Sequence, residues 1–394
     1  MKRNENRCKR RRYSVSSLLK LLFISSLFLF VSLNNTTIMG EGIFLIDEVN
    51  TPLLKEEWES GYVLCEQDGY LYLWVDNYTQ DVGHRNIVQI IDIQQPESPV
   101  VVGRYVLDPA DWIMDFEISE NIAYLLIERA TLCVERFLVA LLDISDPTNP
   151  VLLGKSALLS ITNRVESSIQ INRYKNYTYV SSDELLIFDC SNQTSPVIVA
   201  NYTSSGGELH VINDFFYLVS AGVKIFDLTD PVNPVLLGEV NSTKHNSARS
   251  GVYGNYVINT FLESGIQVYN CADHFHPTIC WDYDFPDQEF QVEGIIHDME
   301  IVGDRLFAGG RNLSIFDISD PHKLKRIARI SIGDQIFNRI TVANNYMYLT
   351  FPSSIRIYSY IENTLVLNFG LGIGIGLPIV IVGSLLIRRK KKKS

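Results

Sequence analysis

Six polar side chains recur in this 394-residue sequence at one place in a repeating pattern: Asp115, Gln170, Glu208, Arg249, Asp298 and Arg339. Each stands seven residues before the start of a short aromatic or apolar run, as does the apolar Val63. If the fold gathers these positions, three carboxylates, one carboxamide and two guanidiniums surround a single concave opening. Opposite charges around a partly enclosed pocket orient an anionic group. Arginine in particular suits bidentate recognition of carboxylate or phosphate. A catalytic variant of this site adds His210 and His297 beside Asp298. The plainer role is solvation of a wet opening, in which each residue tolerates substitution within roughly ±0.5 kcal/mol.

Other chemistry is sparse. The sequence holds no Gly-x-Ser-x-Gly elbow, His-Glu-x-x-His pair, phosphate-cradling glycine loop or EF-hand spacing, and no Ser-x-Asp-x-Gly-x-Thr-Trp box of the sialidase kind. His274-Phe-His276 has the alternate spacing of two imidazoles on one side of a strand, but no third ligand accompanies it. The expectation is therefore no catalytic residue, no metal, no cofactor and no enzymatic activity. Cys65, Cys133, Cys190, Cys271 and Cys280 show no CxxC or Cys/His zinc spacing. Cys271 follows one strand and Cys280 falls in the next, so the pair is the candidate disulfide. The alternative is that all five are small buried hydrophobes.

The elements that must position the six residues are written as one sentence, repeated. Leu141-Leu-Asp-Ile-Ser-Asp-Pro-Thr-Asn-Pro-Val-Leu-Leu-Gly154 reads as strand, tight turn, strand. Proline presets the turn at Pro147, and Pro150 opens the next strand where a missing N–H does least harm. Ile90-Ile-Asp92 to Gly103 and Ile225-Phe-Asp227 to Gly238 repeat it, and Ile315-Phe-Asp317 departs only by placing Leu324 where the second proline stands. Weaker copies centre on Asp189, Asn270 and Ser359, and Asp47 begins the series. The eight anchors lie 38 to 51 residues apart. That is the period of a four-stranded propeller blade, and apolar spacing of three and four, the mark of helical repeats, is absent. Eight anchors enclose seven intervals, so Ile43–Lys55 is expected to supply the outer strand that the last copy lacks, joining both ends of the chain in one blade.

The ends differ from the middle. Residues 1–33 hold a basic leader followed by the apolar run Leu21–Leu33, a signal peptide or an uncleaved anchor. Residues 40–363 carry the repeats, 366–387 read as a transmembrane helix and 388–394 as a basic cytoplasmic tail. The alternative for this end is a processed sorting signal, although no Leu-Pro-x-Thr-Gly motif precedes it. The positive-inside rule places the tail in the cytoplasm and the propeller outside, in a single-pass cell-membrane protein. Net charge is −11 over the chain, with the cations concentrated at the two ends, so the central part is strongly acidic and repels nucleic acid. Asn77, Asn176, Asn192, Asn201, Asn241 and Asn312 are glycosylation sequons, in accord with an exposed ectodomain.

The Tyr-x-Tyr strand, the Ile-x-Asp-Ile strand, Asp-Pro and Pro-Val-Leu-Leu-Gly together resemble the LVIVD repeat of β-propeller surface proteins. The resemblance covers nearly all of residues 43–361; the copies at Asp143 and Asp227 are sharp, and those at Asn270 and Ser359 are degraded. It implies a bacterial or archaeal extracytoplasmic propeller, and no particular chemistry. The expectation is an all-β, seven-bladed β-propeller ectodomain with one C-terminal transmembrane helix, binding an extracytoplasmic protein or glycan. Alternatives are an extracytoplasmic enzyme with a charged channel mouth and a structural component of the cell envelope.

Overall fold

A computed structural model of the chain describes residues 43–49, 60–79, 83–130, 135–160, 170–262, 265–284 and 296–360, apart from positions 97, 183, 204–205, 246, 333–334 and 352–353. The leader 1–33, the apolar run 366–387 and the basic tail 388–394 lie outside the described residues. Among the described residues no helix is long and apolar enough to cross a membrane.

Seven antiparallel sheets follow one another, six of them built from four consecutive strands and the second carrying an additional short strand, Leu159–Ser160. The first blade spans Ser60–Val106, the second Asp111–Ser160, the third Gln170–Thr203 and the fourth Glu208–Asn241. The fifth spans Ser247–Tyr283 and the sixth Asp298–Ser331. The seventh takes three strands from Arg339–Tyr360 and its outermost strand from Ile43–Val49. The register runs antiparallel from Ile43 opposite Tyr360 to Val49 opposite Ile355. This is the closure expected of Ile43–Lys55. The innermost strands touch in cyclic order, with Arg339–Ala343 meeting both Asp298–Val302 and Ser60–Gln67, so the ring is shut.

Each blade buries both faces, which is why its middle strands are nearly unbroken apolar runs. Seven separate core clusters result, each between two neighbouring blades. In the first blade Tyr72 and Trp74 face the second, whereas Leu71, Leu73 and Val75 face the seventh. The second tyrosine of the Tyr-x-Tyr strands is core in this way. Tyr179 is 1% exposed, and its hydroxyl donates to the Pro231 carbonyl of the next blade at 2.7 Å.

The aspartates of the repeat are turn residues. Oδ1 of Asp92, Asp143, Asp189, Asp227 and Asp317 accepts the N–H two residues on at 2.7–3.0 Å, and Asn270 does the same. Asp146, Asn192, Asp230, Asp273 and Asp320 then cap a second such turn. Short polar side chains favour turns through this local bond. Directly after the first cap, the N–H of Ile93, Ile144, Cys190, Leu228, Cys271 or Ile318 donates to the carbonyl of a hairpin residue in its own blade at 2.7–3.0 Å. All these turns and hairpins lie at one end of the ring, the turn face. The innermost strands begin at the other end, the channel mouth.

The glycine that ends the repeat has a packing reason. In the fourth strands Gly103, Gly154 and Gly238 lie opposite Ile90, Leu141 and Ile225. Each sits on the turn of the following blade. A Cβ on Gly238 would lie 2.5 Å from the His274 carbonyl oxygen, and one on Gly103 or Gly154 would lie closer still to Pro147 or Thr194. Trp281 holds the equivalent place in the fifth blade and stacks on Tyr283 with centroids 5.5 Å apart. Leu324, the residue in place of proline in the sixth blade's turn, packs into the same seam. Gly154→Ala should destabilise the propeller by about 1–3 kcal/mol through overpacking, read as a lower urea midpoint. An unchanged midpoint would mean that the turn yields freely.

Candidate binding site at the channel mouth

An innermost strand has no neighbour on its channel side, so every second N–H and carbonyl there lacks a ladder partner. The side chains at the mouth meet part of that need from the preceding blade. Asp115 Oδ2 accepts the Ile171 N–H at 3.0 Å, Gln170 Oε1 the Leu209 N–H at 3.2 Å, and Asp298 Oδ2 the Ile340 N–H at 2.9 Å. Glu208 Oε2 accepts both the N–H of Ser250 and its hydroxyl, the latter at 2.8 Å. Each acceptor reaches the residue that follows the mouth residue of the next blade.

Arginine cannot accept, and at Arg249 and Arg339 the pattern changes to ion pairing. Arg249 Nη1 lies 2.8 Å from Glu208 Oε1, and its Nε lies 3.2 Å from Asp298 Oδ1. Arg339 Nη1 reaches the same Asp298 oxygen at 3.3 Å. Gln170 Nε2 donates to Glu208 Oε1 at 3.0 Å, so a continuous chain runs from Gln170 through Glu208, Arg249 and Asp298 to Arg339. Side-chain exposure falls to 8% at Glu208 and 9% at Asp298, against 20% at Arg249. Burial resists the charge on Glu208, but Arg249, His210 and Ser250 outweigh it and hold the carboxyl below its ordinary range. Burial pushes Asp115 up to about 6, against the Ile171 N–H and the two arginines.

All six residues singled out in the sequence thus line one mouth. Val63 lies on the first innermost strand, which is bulged between Gly61 and Leu64. The solvated ring is not what forms: these groups are half-buried or buried and hold one another. A second tier, two residues further along the strands, was singled out in the sequence only at His210. Glu117 accepts the Arg173 N–H. Glu300 Oε2 accepts the Val342 N–H at 2.8 Å, and Asn172 Nδ2 donates to the Leu209 carbonyl at 3.3 Å. Burial raises both Glu117 and Glu300 to about 8, with the N–H donors opposing and neighbouring carboxylates adding to the rise. It also pushes the Cys65 thiol to about 12, with Glu117 and Glu300 adding to the effect. Such a thiol stays protonated and unreactive. A period of two from the mouth residues was the available signal for this tier.

The histidines do not converge. His210 Nε2 pairs with Ser250 Oγ at 2.8 Å, whereas His297 sits by Arg249 and Asp298, and burial lowers the pKa of both. His274 packs on Phe215 with ring centroids 3.9 Å apart, while His276 turns to Asp273 at 3.0 Å. Among the described residues no group of three or more His, Cys, Asp or Glu is placed to hold a metal ion. The Cys271–Cys280 bridge expected from the sequence is corrected: both thiols are free. Cys271 is buried in the seam with the fourth blade, and Cys280, at a bulge, faces the seam with the sixth. They occupy opposite faces of one sheet. Of the sequon asparagines, Asn176, Asn192, Asn201 and Asn241 are exposed and Asn312 is half-exposed, while the side chain of Asn77 lies outside the described residues.

Two outcomes follow from this geometry. Removing the Arg249 cation from between two buried carboxylates should cost about 3 kcal/mol, so Arg249→Gln should lower the urea midpoint markedly; a shift within about 0.5 kcal/mol would return the ring to ordinary surface. Glu117 and Glu300 bind protons more tightly folded than unfolded. Their contribution is whole below the ordinary value of 4.5 and is lost as pH rises through about 8. Unfolding free energies measured from pH 4 to 9 should therefore fall less steeply in a Glu117→Gln, Glu300→Gln double variant than in the parent. Parallel curves would contradict the assignment.

A family model of the LVIVD repeat matches residues 135–157 and 168–204, which lie in the second and third blades. Among curated proteins none matches the chain. A solved structure of a mitotic checkpoint complex contains a chain that is 11% identical with a TM-score of 0.56, covering 83% of this chain and 96% of that one. The WD40 β-propeller domain of Doa1 is 11% identical with a TM-score of 0.55, covering 82% and 98%. The computationally designed Ika8 protein is 9% identical with a TM-score of 0.50, covering 78% and 98%. At such identities the likeness is one of fold. With the repeat matched in the second and third blades and the ring closed by seven sheets, the chain is a seven-bladed β-propeller that carries LVIVD repeats.

Proposed function

We propose that this propeller is a membrane-anchored cell-surface protein that serves as a binding scaffold for an extracytoplasmic protein or glycan, without catalysis of its own. The observation that carries the reading is the occupation of the mouth charges. Glu208, Arg249, Asp298 and Arg339 pair with one another, and the two carboxylates also accept strand-edge N–H groups, leaving a shaped rim in place of an activated base beside a nucleophile. The apolar runs and basic clusters at the two ends of the sequence support anchoring, and the exposed sequon asparagines support an extracytoplasmic, glycosylated surface. Propeller neighbours include a chain of a multi-protein complex, which accords with a protein ligand.

A second reading, a structural element of the envelope, draws on Val197, Ile198 and Val199 and on Val235 and Leu236. These are 39–59% exposed on outermost strands, whose free edges invite lateral pairing. Capture from native membranes with the full chain as bait separates the two. The scaffold reading expects a discrete partner whose recovery drops several-fold when the exposed mouth-side Ala110 is changed to Arg, and holds when the exposed turn-side Asn149 is changed to Arg. Recovery of only further copies of the same chain would favour the envelope element, and equal loss in both variants would remove the mouth from recognition.

A further inference from the structure

The two ends of the described propeller leave it at one point. Ile43 is registered opposite Tyr360, in the strand pair that closes the seventh blade. Tyr346 and Ser359 are also partners, and Tyr346 follows directly on the Asn344–Asn345 hairpin of the turn face. Residues 43 and 360 therefore stand side by side on the turn face, at the rim of the ring and away from the channel mouth. The sequence beyond each end soon reaches an apolar run flanked by cations: Leu21–Leu33 lies nine residues before Ile43, and Phe369–Ile387 begins eight residues after Tyr360.

We infer that the propeller is carried on a lipid bilayer with its turn face inward and its channel mouth pointing away. The inference rests on the membrane-anchored reading given above and adds the orientation. Reach decides it. Eight residues (361–368) extend at most about 30 Å even when fully stretched. The outer strands Ser354–Tyr360 and Ile43–Val49 have seven residues each, roughly 23 Å from one face to the other. A connection that doubled back along the blade to place the mouth against lipid would spend most of its length on that climb and leave little to cross the rim. Leaving straight from the turn face needs no such path. The partner at this face is a lipid surface. The acidic hairpin and turn residues there, Glu120, Asp146, Asp214, Asp230, Asp273 and Asp320, are exposed, so this face stands off anionic headgroups and is held by its tether.

The test uses the full chain reconstituted in phosphatidylcholine vesicles that carry a headgroup-linked energy acceptor. One variant, Asn149→Cys, takes a donor dye on the turn face, and the other, Ala110→Cys, takes it in the mouth-side connection that leads into the same blade. Labelling of the parent chain, whose described thiols are buried or half-buried, is subtracted. The expected result is transfer from position 149 at least about twofold above that from position 110, because strands of this length set the two faces roughly 20–30 Å apart. Equal or reversed transfer from vesicle-bound protein overturns the orientation and leaves the anchoring intact. Protein that does not float with the vesicles overturns both.

Discussion

A strand at the inner edge of a propeller blade is obliged to leave half its backbone groups without a sheet partner, and much of this molecule is an answer to that obligation. The blade cannot add a further strand without filling the channel, so hydrogen-bond acceptors arrive from the blade before it. Asp115, Gln170, Glu208 and Asp298 each accept the N–H of a neighbouring inner strand, and Glu117 and Glu300 repeat the device one tier further along. Carboxylates are effective here because charge-assisted bonds to N–H are stronger than neutral ones. The burial that comes with the position then raises the proton affinity of Asp115, Glu117 and Glu300, where nearby cations and N–H donors do not outweigh it. Glu208 escapes this because Arg249 lies against it, whereas Glu117 and Glu300 do not.

The outer edges meet the same constraint differently. The seventh blade would have been left with three strands and an open apolar face; Ile43–Val49 fills that place and closes the ring with the opposite end of the chain. The remaining outermost strands stay open to solvent. In each of the first six blades the pairing of third and fourth strands slips by one residue just before the capped turn. A bulge of this kind increases local twist and breaks the regularity of an edge. In the first, second and fourth blades it also sets the glycine of the fourth strand directly over the next blade's turn. One sequence pattern thus specifies both the shape of a blade and its spacing from the following one.

The blade count, the closure by the two ends and the six mouth residues were legible because all three follow from period. An anchor aspartate every 38 to 51 residues counts the blades, and a fixed step back from the second strand finds the inner strand's start. The turn at each Asp-Pro was legible as well, whereas the part each aspartate plays in it, accepting the N–H two residues on, is visible only in the bonds themselves. The engagement of the mouth charges was not legible either. It depends on which face of the inner strand each side chain occupies, and bulges between Gly61 and Leu64, Ile113 and Asp115, and Ser247 and Arg249 shift that register in three blades. The free state of Cys271 and Cys280 has the same origin, because closeness across a hairpin says nothing about which side of the sheet each thiol takes.

The two ends of the ring then divide the work between them. On the turn face most blades repeat one plan: the first cap and the bond from turn to hairpin recur in six blades, the second cap in five, and the close approach of glycine to a carbonyl in three. The departures there, His274-Phe-His276, Leu324 and Trp281, belong to the fifth and sixth blades. At the mouth the corresponding positions are Asp, Gln, Glu, Arg, Asp and Arg, and the side-chain links among them run from Gln170 to Arg339 on one side of the ring. Recognition of an asymmetric ligand needs such a difference, whereas holding seven sheets at constant spacing needs its absence. A repeat protein has no other place to put an asymmetric site than where its copies diverge, and the proposed scaffold reading takes the rim of the channel as that place.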